Sequence, residues 1–215
     1  MMNTQERFLV TVNRELGSGG RSVARKLARR LNVRFYDKVQ LEGLIQEFKL
    51  TEEQIEQLKA SKRNWWTEFC DKISRAPGGD LHYPAGQGIP ELVTSDDLFK
   101  SESRILREIA AEESCVIAGR AAFFVLKAHH NKLRVFIKAS LASRMERVMR
   151  KQGLNEEEAA SVIDRVDAGR ENYTMKYAGV SRYDTRNYDL VINMDGISED
   201  DAVDLILEYI RRSEK

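Results

Sequence analysis

The sequence predicts an α/β protein with an open, mostly parallel sheet that has helices on both faces. Short apolar, β-branched segments alternate with amphipathic helical segments along the 215-residue chain. The first apolar segment leads into a glycine-rich loop, and that loop opens a helix. Ligands of such sheets bind outside the carboxyl ends of the strands, so functional residues are expected in the loops that follow strands.

The N-terminal part of the chain contains two predicted strands and three predicted helices. The first strand is short, apolar and rich in β-branched residues, and the helix after it carries apolar side chains at helical spacing. The predicted elements are, in order, a strand at 7–12, a helix at 22–31, a strand at 33–37, a helix at 39–48 and a helix that opens with the capping box "TEEQ" at 51–54.

The segment from about Lys59 to Ser95 has no regular apolar pattern and contains all three prolines of the chain. Loops of that length in compact domains are often lids or binding segments. We therefore predict a single domain over residues 1–215 that carries an insert at about 38–95.

Regular patterns return after this segment. The predicted strands are apolar runs, and the predicted helices are bounded by capping residues such as Ser140, Asn155 and Gly153. The predicted elements are, in order, a helix at 96–113, a strand at 114–119, a strand at 132–140, a helix at 141–153, a helix at 155–173, a strand at 188–194 and a helix at 198–212.

The composition predicts a soluble globular protein, with 42% hydrophobic residues, 32% charged residues and a formal net charge of +1. This balance gives no reason to expect nucleic-acid or membrane binding. No apolar run is long enough to span a bilayer, and no signal peptide precedes the first apolar run. Cys70 and Cys115 are too few and too far apart for a disulfide framework, so a cytoplasmic location is predicted.

The loop "NRELGSGGRS" (13–22) has the placement of the phosphate-binding motif G-x-x-x-x-G-K-[ST], between a strand and a helix. In an alignment without a gap, Gly20 replaces the lysine of the motif, Arg21 replaces the first hydroxyl residue and Ser22 takes the next position. In an alignment shifted by one residue, Arg21 stands for the lysine and Ser22 for the hydroxyl that holds Mg²⁺. The leading glycine of the motif is absent in both alignments.

Two interpretations of this loop stay open, an anion site and a plain glycine turn. Glycines allow backbone angles that aim several N–H groups at one anion, and a helix N-terminus adds its positive end. Arg14 and Arg21 flank the loop and favour the anion site. Arginine supplies the charge of the missing lysine, but it is planar and bulkier, so the two are not equivalent.

Arginines also cluster in two of the later predicted helices. Phosphoryl transfer needs positive groups around the migrating phosphoryl group, and a lid with several arginines supplies them while it excludes water. The alternative interpretation is a solvated basic face that is balanced by nearby glutamates. The residues concerned are Arg144, Arg147 and Arg150 in the helix at 141–153, and Arg165, Asp167 and Arg170 in the helix at 155–173.

Two further candidates lie where predicted strands end. Arg120 follows the third strand in "AGR" (118–120), and Asp37 closes the second strand. Both positions fall at the edge of a parallel sheet where ligands bind. A substrate-binding role stays open beside a structural one, which would be a surface ion pair for Arg120 and a helix cap for Asp37. The three histidines have no partners at metal-ligand spacing.

Several of these segments, in this order, resemble the cytidylate kinase-like family, relatives of bacterial cytidylate kinases among the P-loop nucleoside monophosphate kinases. The resemblance extends from about Phe8 to the last helix and rests on order and spacing rather than on one motif. Its segments are "VTVNRELGSGGRSVARKLARRL" (10–31), "FYDK" (35–38), "VIAGRAAFFVL" (116–126), "LRVFIKASLASRMERVM" (133–149), "DAGR" (167–170) and "NYDLVIN" (187–193).

The resemblance implies a three-layer P-loop kinase-like fold with a five-stranded parallel sheet, a substrate-binding insert and an arginine-rich lid at about 150–180. It implies transfer of the γ-phosphoryl group of ATP to a nucleoside monophosphate, CMP or dCMP, with Mg²⁺. Small nucleotides are then the expected partners of a monomer or homodimer, without nucleic acid or membrane. The chain lacks the loop lysine, and Ala121 stands where cytidylate kinases usually carry an aspartate.

The site residues predicted on this basis fall into three groups. The ATP-binding group is Arg14, Gly17, Ser18, Gly19, Gly20, Arg21 and Ser22, with Ser22 also the metal ligand. The acceptor-binding group is Asp37, Arg120 and Asp167. The group predicted to act on the transferring phosphoryl is Arg21, Arg144, Arg147, Arg165 and Arg170. Two alternatives stay open, a nucleotide-binding or regulatory protein without kinase activity and a kinase for another small molecule.

Overall fold

The structure is a computed structural model that describes residues 2–38, 41 and 95–214. The chain divides into two compact units, one formed by Met1–Asp37 with Leu106–Lys215 and the other by Lys38–Ile105. The second unit covers the predicted insert. Most of that insert, including the helices predicted at 39–48 and from 51 onward, lies outside the described residues.

The first unit is built on a parallel sheet, which has five strands in the described part of the chain. This agrees with the predicted fold. The order across the sheet is β2-β3-β1-β4-β5, and all four neighbouring pairs are parallel. Because β1 is the central strand, the loop after it starts at the middle of the carboxyl edge. The strands are β1 (Leu9–Arg14), β2 (Arg34–Asp37), β3 (Cys115–Ala118), β4 (Lys132–Lys138) and β5 (Leu190–Asn193).

Helices connect these strands. All but one of the described α-helices are predicted by the sequence; the exception is α3, because a helix of four residues is too short to show an apolar period. A 3-10 helix at Thr185–Asn187 is not predicted either. The described helices are α1 (Gly20–Arg30), α2 (Ser95–Glu112), α3 (Ala122–Val125), α4 (Leu141–Gln152), α5 (Glu156–Ala178) and α6 (Glu199–Ser213).

The main core of the first unit lies between the sheet and helices α1 and α6. Val23 and Leu27 of α1, and Val203 and Ile206 of α6, are fully buried there with apolar residues of β1 and β4. These residues are spaced three or four apart, so they share one face of their helix. Packing of α1 on this core fixes the C-terminal end of the glycine-rich loop, while β1 fixes its other end.

Helices α4 and α5 pack against each other through Val148 on α4 and Ile163 on α5. The predicted caps of α4 and α5 are confirmed. Ser140 accepts a hydrogen bond from the amide of Ser143 at the start of α4, and Asn155 forms a capping box at the start of α5. Within the described ranges, no helix is both long and apolar enough to cross a membrane.

Candidate functional site

The loop between β1 and α1 turns tightly because Gly17 and Gly19 both take left-handed backbone angles, with φ of 83° at each. A side chain at position 17 is also excluded by space, since a Cβ there would lie 2.6 Å from the carbonyl oxygen of Arg144. Helix α1 begins at Gly20 with Gly19 as its N-cap, and it has no side-chain cap and no acidic residue in its first turn. Its positive end is therefore not neutralised by its own sequence.

Five main-chain donors in this loop and in the first turn of α1 are open. The amide of Leu16 donates to Asp167, and the amide of Ser18 donates to the carbonyl of Glu15. Five other amides make no hydrogen bond to any group in the described part of the chain. They belong to Gly17, Gly19, Gly20, Arg21 and Ser22. A series of free N–H groups at a helix N-terminus is a binding site for an anion such as a phosphate.

The three glycines Gly17, Gly19 and Gly20 line a pocket of about 220 Å³ whose walls are strongly cationic. Six of its lining residues carry a positive charge, and Glu15 is the one acid among the described residues that line it. This excess of charge attracts anions to the pocket. The cationic residues are Arg14, Arg21, Arg25, Arg147, Lys151 and Arg170.

In the alignment without a gap, Gly20 takes the position of the motif's lysine. A Cβ on Gly20 would lie 2.5 Å from the Cβ of Arg14 and 3.0 Å from the Cβ of Ile137, so a lysine does not fit there in this conformation. Arg21, the other candidate for the lysine's role, donates from Nε to Asp37 Oδ2 at 2.6 Å. Arg21 is therefore bound to the carboxylate that closes β2.

Arg14 is the last residue of β1, and its side chain runs from the loop toward the end of β3. Its first carbons lie beside Gly20, as the distances above show. Its guanidinium lies against Gly119, because a Cβ on Gly119 would be 3.1 Å from Cζ and would overlap Nη1. The guanidinium makes no hydrogen bond or ion pair with any of the residues that the structure describes. Arg14 thus brings an uncompensated charge to the pocket.

The electrostatic surroundings of Arg14 are unfavourable to its own charge. Burial, followed by the positive charges of Arg170 and Arg182, lowers the pKa of Arg14 to about 9. Asp37 opposes this shift and Arg21 adds to it. An incoming anion would relieve the repulsion, because it would supply the opposite charge that this guanidinium lacks.

A single carboxylate, that of Asp167 on α5, organises the arginines around the loop. Asp167 is 5% exposed. It accepts hydrogen bonds from the amide of Leu16 at 3.0 Å, from Arg144 Nη2 at 2.5 Å, from Arg170 Nη1 at 3.0 Å and from Arg182 Nη1 at 3.3 Å. Both carboxylate oxygens are occupied by protein donors. The acceptor-binding role of Asp167 stays a prediction, and its contacts favour positioning of the loop instead.

Arg182 is a part of this cluster that sequence reasoning misses. Its side chain is 1% exposed, and Nη2 donates to the main-chain carbonyl of Arg14. The hydroxyl of Tyr188 in turn donates to the carbonyl of Arg182 at 2.7 Å. Arg182 follows the end of α5 in a segment without apolar periodicity, so no local pattern separates it from a surface arginine.

The arginines predicted on α4 have different environments. Arg144 is buried and donates from Nε to the carbonyl of Leu16 at 2.8 Å. Arg147 donates from Nη2 to Glu199, and its guanidinium packs on Gly19, where a Cβ would lie 3.1 Å from Cζ. Arg144 therefore supports the loop from outside the pocket lining, and Arg147 is a wall of the pocket itself.

The arginines predicted on α5 also differ from each other. Arg170 lines the pocket and donates to the carbonyl of Arg14 at 3.4 Å, in addition to its bond with Asp167. Arg165 is exposed and lies two residues before Asp167, which puts it on another side of the helix. The structure does not bring Arg165 together with the other candidates, and its predicted role stays a prediction.

Arg120 lies next to Gly119 at the carboxyl end of β3, where the chain takes an uncommon path. Gly119, Arg120 and Ala121 are all in the left-handed region, with φ of 84°, 55° and 51°. Such angles are rare for residues other than glycine and are often found at functional sites. The Arg120 guanidinium lies 5.6 Å from the centre of the Tyr173 ring on α5.

The profile of the cytidylate kinase-like family matches residues 9–196 of this sequence. The chain belongs to the cytidylate kinase-like family. Two curated relatives are both named cytidylate kinase. The protein from Thermococcus sibiricus is 38% identical over 90 residues, which is 40% of this chain and 45% of the relative. The protein from Methanopyrus kandleri is 32% identical over 118 residues, which is 51% of this chain and 61% of the relative. The chain therefore spans about half the length of the curated relatives it matches.

Solved structures show the same fold over nearly the whole chain. An uncharacterized protein from Eubacterium ventriosum superposes with a TM-score of 0.68 at 25% identity, over 95% of this chain and 99% of that one. A shikimate kinase from Bacteroides thetaiotaomicron superposes with a TM-score of 0.52 at 14% identity, over 96% of this chain and 99% of that one. The second likeness establishes the P-loop kinase fold and nothing finer.

In this member of the cytidylate kinase-like family, the donor set around the loop fits a metal ion that arrives with a nucleotide. Ser22 lines the pocket and donates its hydroxyl proton to Glu199, so its oxygen lone pairs stay available to a cation. Burial raises the pKa of Glu199, but hydrogen bonds from Arg147 and Ser22 and the charge of Lys26 have the larger effect. The pKa of Glu199 is therefore lowered overall. The described residues contain no cluster of three His, Cys, Asp or Glu. Mg²⁺ needs none when phosphates and water complete its shell.

Proposed function

We propose that the protein transfers the γ-phosphoryl group of ATP to a nucleoside monophosphate, with CMP or dCMP as the acceptor. The observation that carries the proposal is the set of open amides in a cationic pocket, those of Gly17 and of Gly19 to Ser22. Membership of the cytidylate kinase-like family supports the reaction class. The two partial relatives that are named cytidylate kinase support the choice of acceptor.

The triphosphate of ATP is assigned to the glycine-rich loop. The open amides and the positive end of α1 bind its phosphates, and Arg14 and Arg147 add charge from the side. A second pocket, of about 180 Å³, shares Gly17 and Arg147 with the first and includes the apolar residues Met194 and Ile197. Its mixed polar and apolar lining suits the nucleoside end of the same molecule.

The acceptor phosphate is assigned to the carboxyl ends of β2 and β3. Arg120 follows β3, and the Arg14 guanidinium lies beside it against Gly119. Because a monophosphate is already an anion at neutral pH, it attacks without a general base from the protein. We assign to Asp37, which closes β2 and holds Arg21, a hydrogen bond from the acceptor's sugar or base.

Mg²⁺ is the metal proposed for this site. Phosphate oxygens of ATP and the hydroxyl of Ser22 would hold it. When bound, the ion neutralises charge on the outer phosphates, which lowers the barrier to transfer. The remaining work belongs to the chain itself, since the loop amides orient the phosphates and the arginines stabilise the charge that spreads over the transferring group.

A nucleotide-binding protein without kinase activity is the second candidate function. The observation that favours it is the absence of room for any side chain at Gly20, where the motif carries its lysine. If no other cation takes over that charge, ATP can bind at the loop amides without efficient transfer.

A coupled assay with ATP, Mg²⁺ and each of the common nucleoside monophosphates tests the proposal, together with a direct measurement of ATP binding by calorimetry. Turnover of CMP or dCMP ahead of the other acceptors is the expected result. ATP binding without turnover of any acceptor would favour the second candidate. A protein that neither binds ATP nor turns over an acceptor would contradict both.

A further inference from the structure

We infer that Arg14 supplies the positive charge that the lysine of the phosphate-binding motif supplies elsewhere, and that it contacts the γ-phosphoryl group as this group passes between the two nucleotides. The inference rests on the proposed function and extends it to a named residue. In the motif, the lysine reaches the outer phosphates from the first turn of the helix. In this chain the same space is used by a side chain that comes from the end of the strand.

The Arg14 side chain occupies the space in which the lysine of the motif would begin. The Cβ of Arg14 would be 2.5 Å from a Cβ on Gly20, and its Cγ would be 3.1 Å away. The beginning of the Arg14 side chain thus fills the volume from which a lysine at position 20 would start. Glycine at position 20 and arginine at position 14 form one arrangement, in which the smaller residue makes room for the larger.

The Arg14 guanidinium reaches the end of β3. It ends against Gly119, the residue before Arg120, while it also lines the pocket formed by the glycine-rich loop. One end of the Arg14 side chain is therefore beside the proposed ATP phosphates, and the other is beside the proposed acceptor site. A phosphoryl group that moves between these two proposed sites would pass close to this guanidinium.

Arg14 differs from the other cations of the pocket in its ion pairs. Three other arginines at the loop have a carboxylate partner, since Arg21 is paired with Asp37, Arg147 with Glu199 and Arg170 with Asp167. Lys151 is exposed, so water screens its charge. Arg25, the remaining cation of the pocket, has an interaction partner of its own. Arg14 has no bonded carboxylate in the described part of the chain, so its partly buried charge is available to a ligand.

The backbone of Arg14 is held in position by two neighbouring arginines. The carbonyl of Arg14 accepts hydrogen bonds from Arg182 Nη2 and from Arg170 Nη1, and Asp167 pairs with both of these arginines. The main chain of Arg14 is thereby held in place while its side chain has no bond of its own. This arrangement is expected of a side chain that binds a ligand, because the fixed backbone orients the side chain before the ligand arrives.

The variant Arg14→Gln tests the inference, with ATP and ADP binding measured by calorimetry in the presence of Mg²⁺. We expect ATP affinity to fall by about tenfold or more, which is typical for loss of one charge-assisted hydrogen bond. ADP affinity should fall less, because ADP lacks the γ-phosphoryl group. Arg212→Gln is the matched control, since Arg212 is exposed on α6 and pairs with Glu208 on the surface.

The outcomes separate the inference from the proposed function. If the wild-type protein binds ATP and Arg14→Gln binds ATP and ADP as tightly, or loses both equally, the inference is wrong while the proposed function stands. If the wild-type protein binds no ATP, both fail. Arg14→Lys retains the positive charge and much of the aliphatic stem, so it should bind ATP more tightly than Arg14→Gln does. If Arg14→Gln does not fold, Arg14→Lys is compared instead with the charge-free variant Arg14→Met. An ATP affinity of Arg14→Lys as low as that of Arg14→Met would overturn the inference.

Discussion

The carboxylate of Asp167 accepts hydrogen bonds from the main-chain amide of Leu16, at 3.0 Å to one oxygen and 3.2 Å to the other. Leu16 lies in the glycine-rich loop, and Asp167 lies in the middle of α5, within the region that the sequence predicts as a lid. The loop and α5 are therefore joined by one buried anion. Because Arg144 and Arg182 bond to the same carboxylate, its loss would affect the whole cluster.

We expect Asp167→Asn to destabilise the protein by about 3–5 kcal/mol, because removal of one partner leaves buried arginines without a counter-charge. Arg182, with 1% exposure, pairs with no other carboxylate in the described part of the chain, whereas Arg144 also pairs with Glu15. The free energy of unfolding in urea is the measurement. Asp164→Asn is the control, since Asp164 is exposed on the same helix. A loss of less than about 1 kcal/mol in Asp167→Asn would show that this carboxylate is not the centre of the cluster.

The sequence predicts the sheet, the described helices other than α3 and the place of the phosphate-binding loop because these follow from local patterns. Apolar spacing and caps such as Ser140 and Asn155 are properties of neighbouring residues. The bonds that join the loop to the C-terminal half of the chain, Leu16 to Asp167 and Arg14 to Arg182, span more than 150 positions, which no local spacing encodes. For the same reason the lack of room for a side chain at Gly20 is visible only from the position of Ile137, a residue of another strand.

The affinity for ATP should depend on pH through Arg14. Its pKa is lowered to about 9 by burial and by Arg170, Arg182 and Arg21, against the opposing charge of Asp37. A bound phosphate favours the protonated form and raises this pKa, so the complex holds more protons than the free protein around pH 9. Affinity is therefore full below about pH 9 and declines as pH rises above it, by up to about tenfold per unit.

Calorimetric titrations with ATP between about pH 7.5 and about pH 10.5 measure this dependence. The titration of the nucleotide's own phosphate is complete below this range, so it does not interfere. In Arg14→Gln the decline should disappear, because the titrating group is absent. An equally steep decline in Arg14→Gln would assign the effect to another cation, such as Lys151.

Arg147→Ala should weaken ATP binding less than Arg14→Gln does. Arg147 lines both pockets and packs on Gly19, but its charge is already bonded to Glu199. We expect a loss of about 1 kcal/mol, or roughly fivefold in affinity, for a charge-assisted contact that is partly satisfied within the protein. Calorimetry with ATP is the measurement, and Arg211→Ala, an exposed position on α6, is the control. A loss greater than that of Arg14→Gln would reverse the proposed ranking of the two arginines.

Gly17→Ala should damage the loop more than the same change does at another left-handed glycine. Gly17 and Gly153 have φ of 83° and 67°, so an alanine at either position costs about 1–2 kcal/mol from the backbone angle alone. A Cβ at position 153 meets nothing within 4 Å, whereas one at position 17 would lie 2.6 Å from the carbonyl oxygen of Arg144. Relief of that overlap has to move the loop or α4.

Comparison of the two alanine variants therefore isolates the effect of space from that of the backbone angle. We expect Gly17→Ala to lower ATP affinity by about tenfold or more, since the open amides lose their alignment with the phosphates. Gly153→Ala should keep the ATP affinity of the wild type and lose only stability, as measured by thermal unfolding. Equal ATP affinities in the two variants would mean that the amides after Gly17 do not bind the triphosphate, and the proposed site would then have to be abandoned.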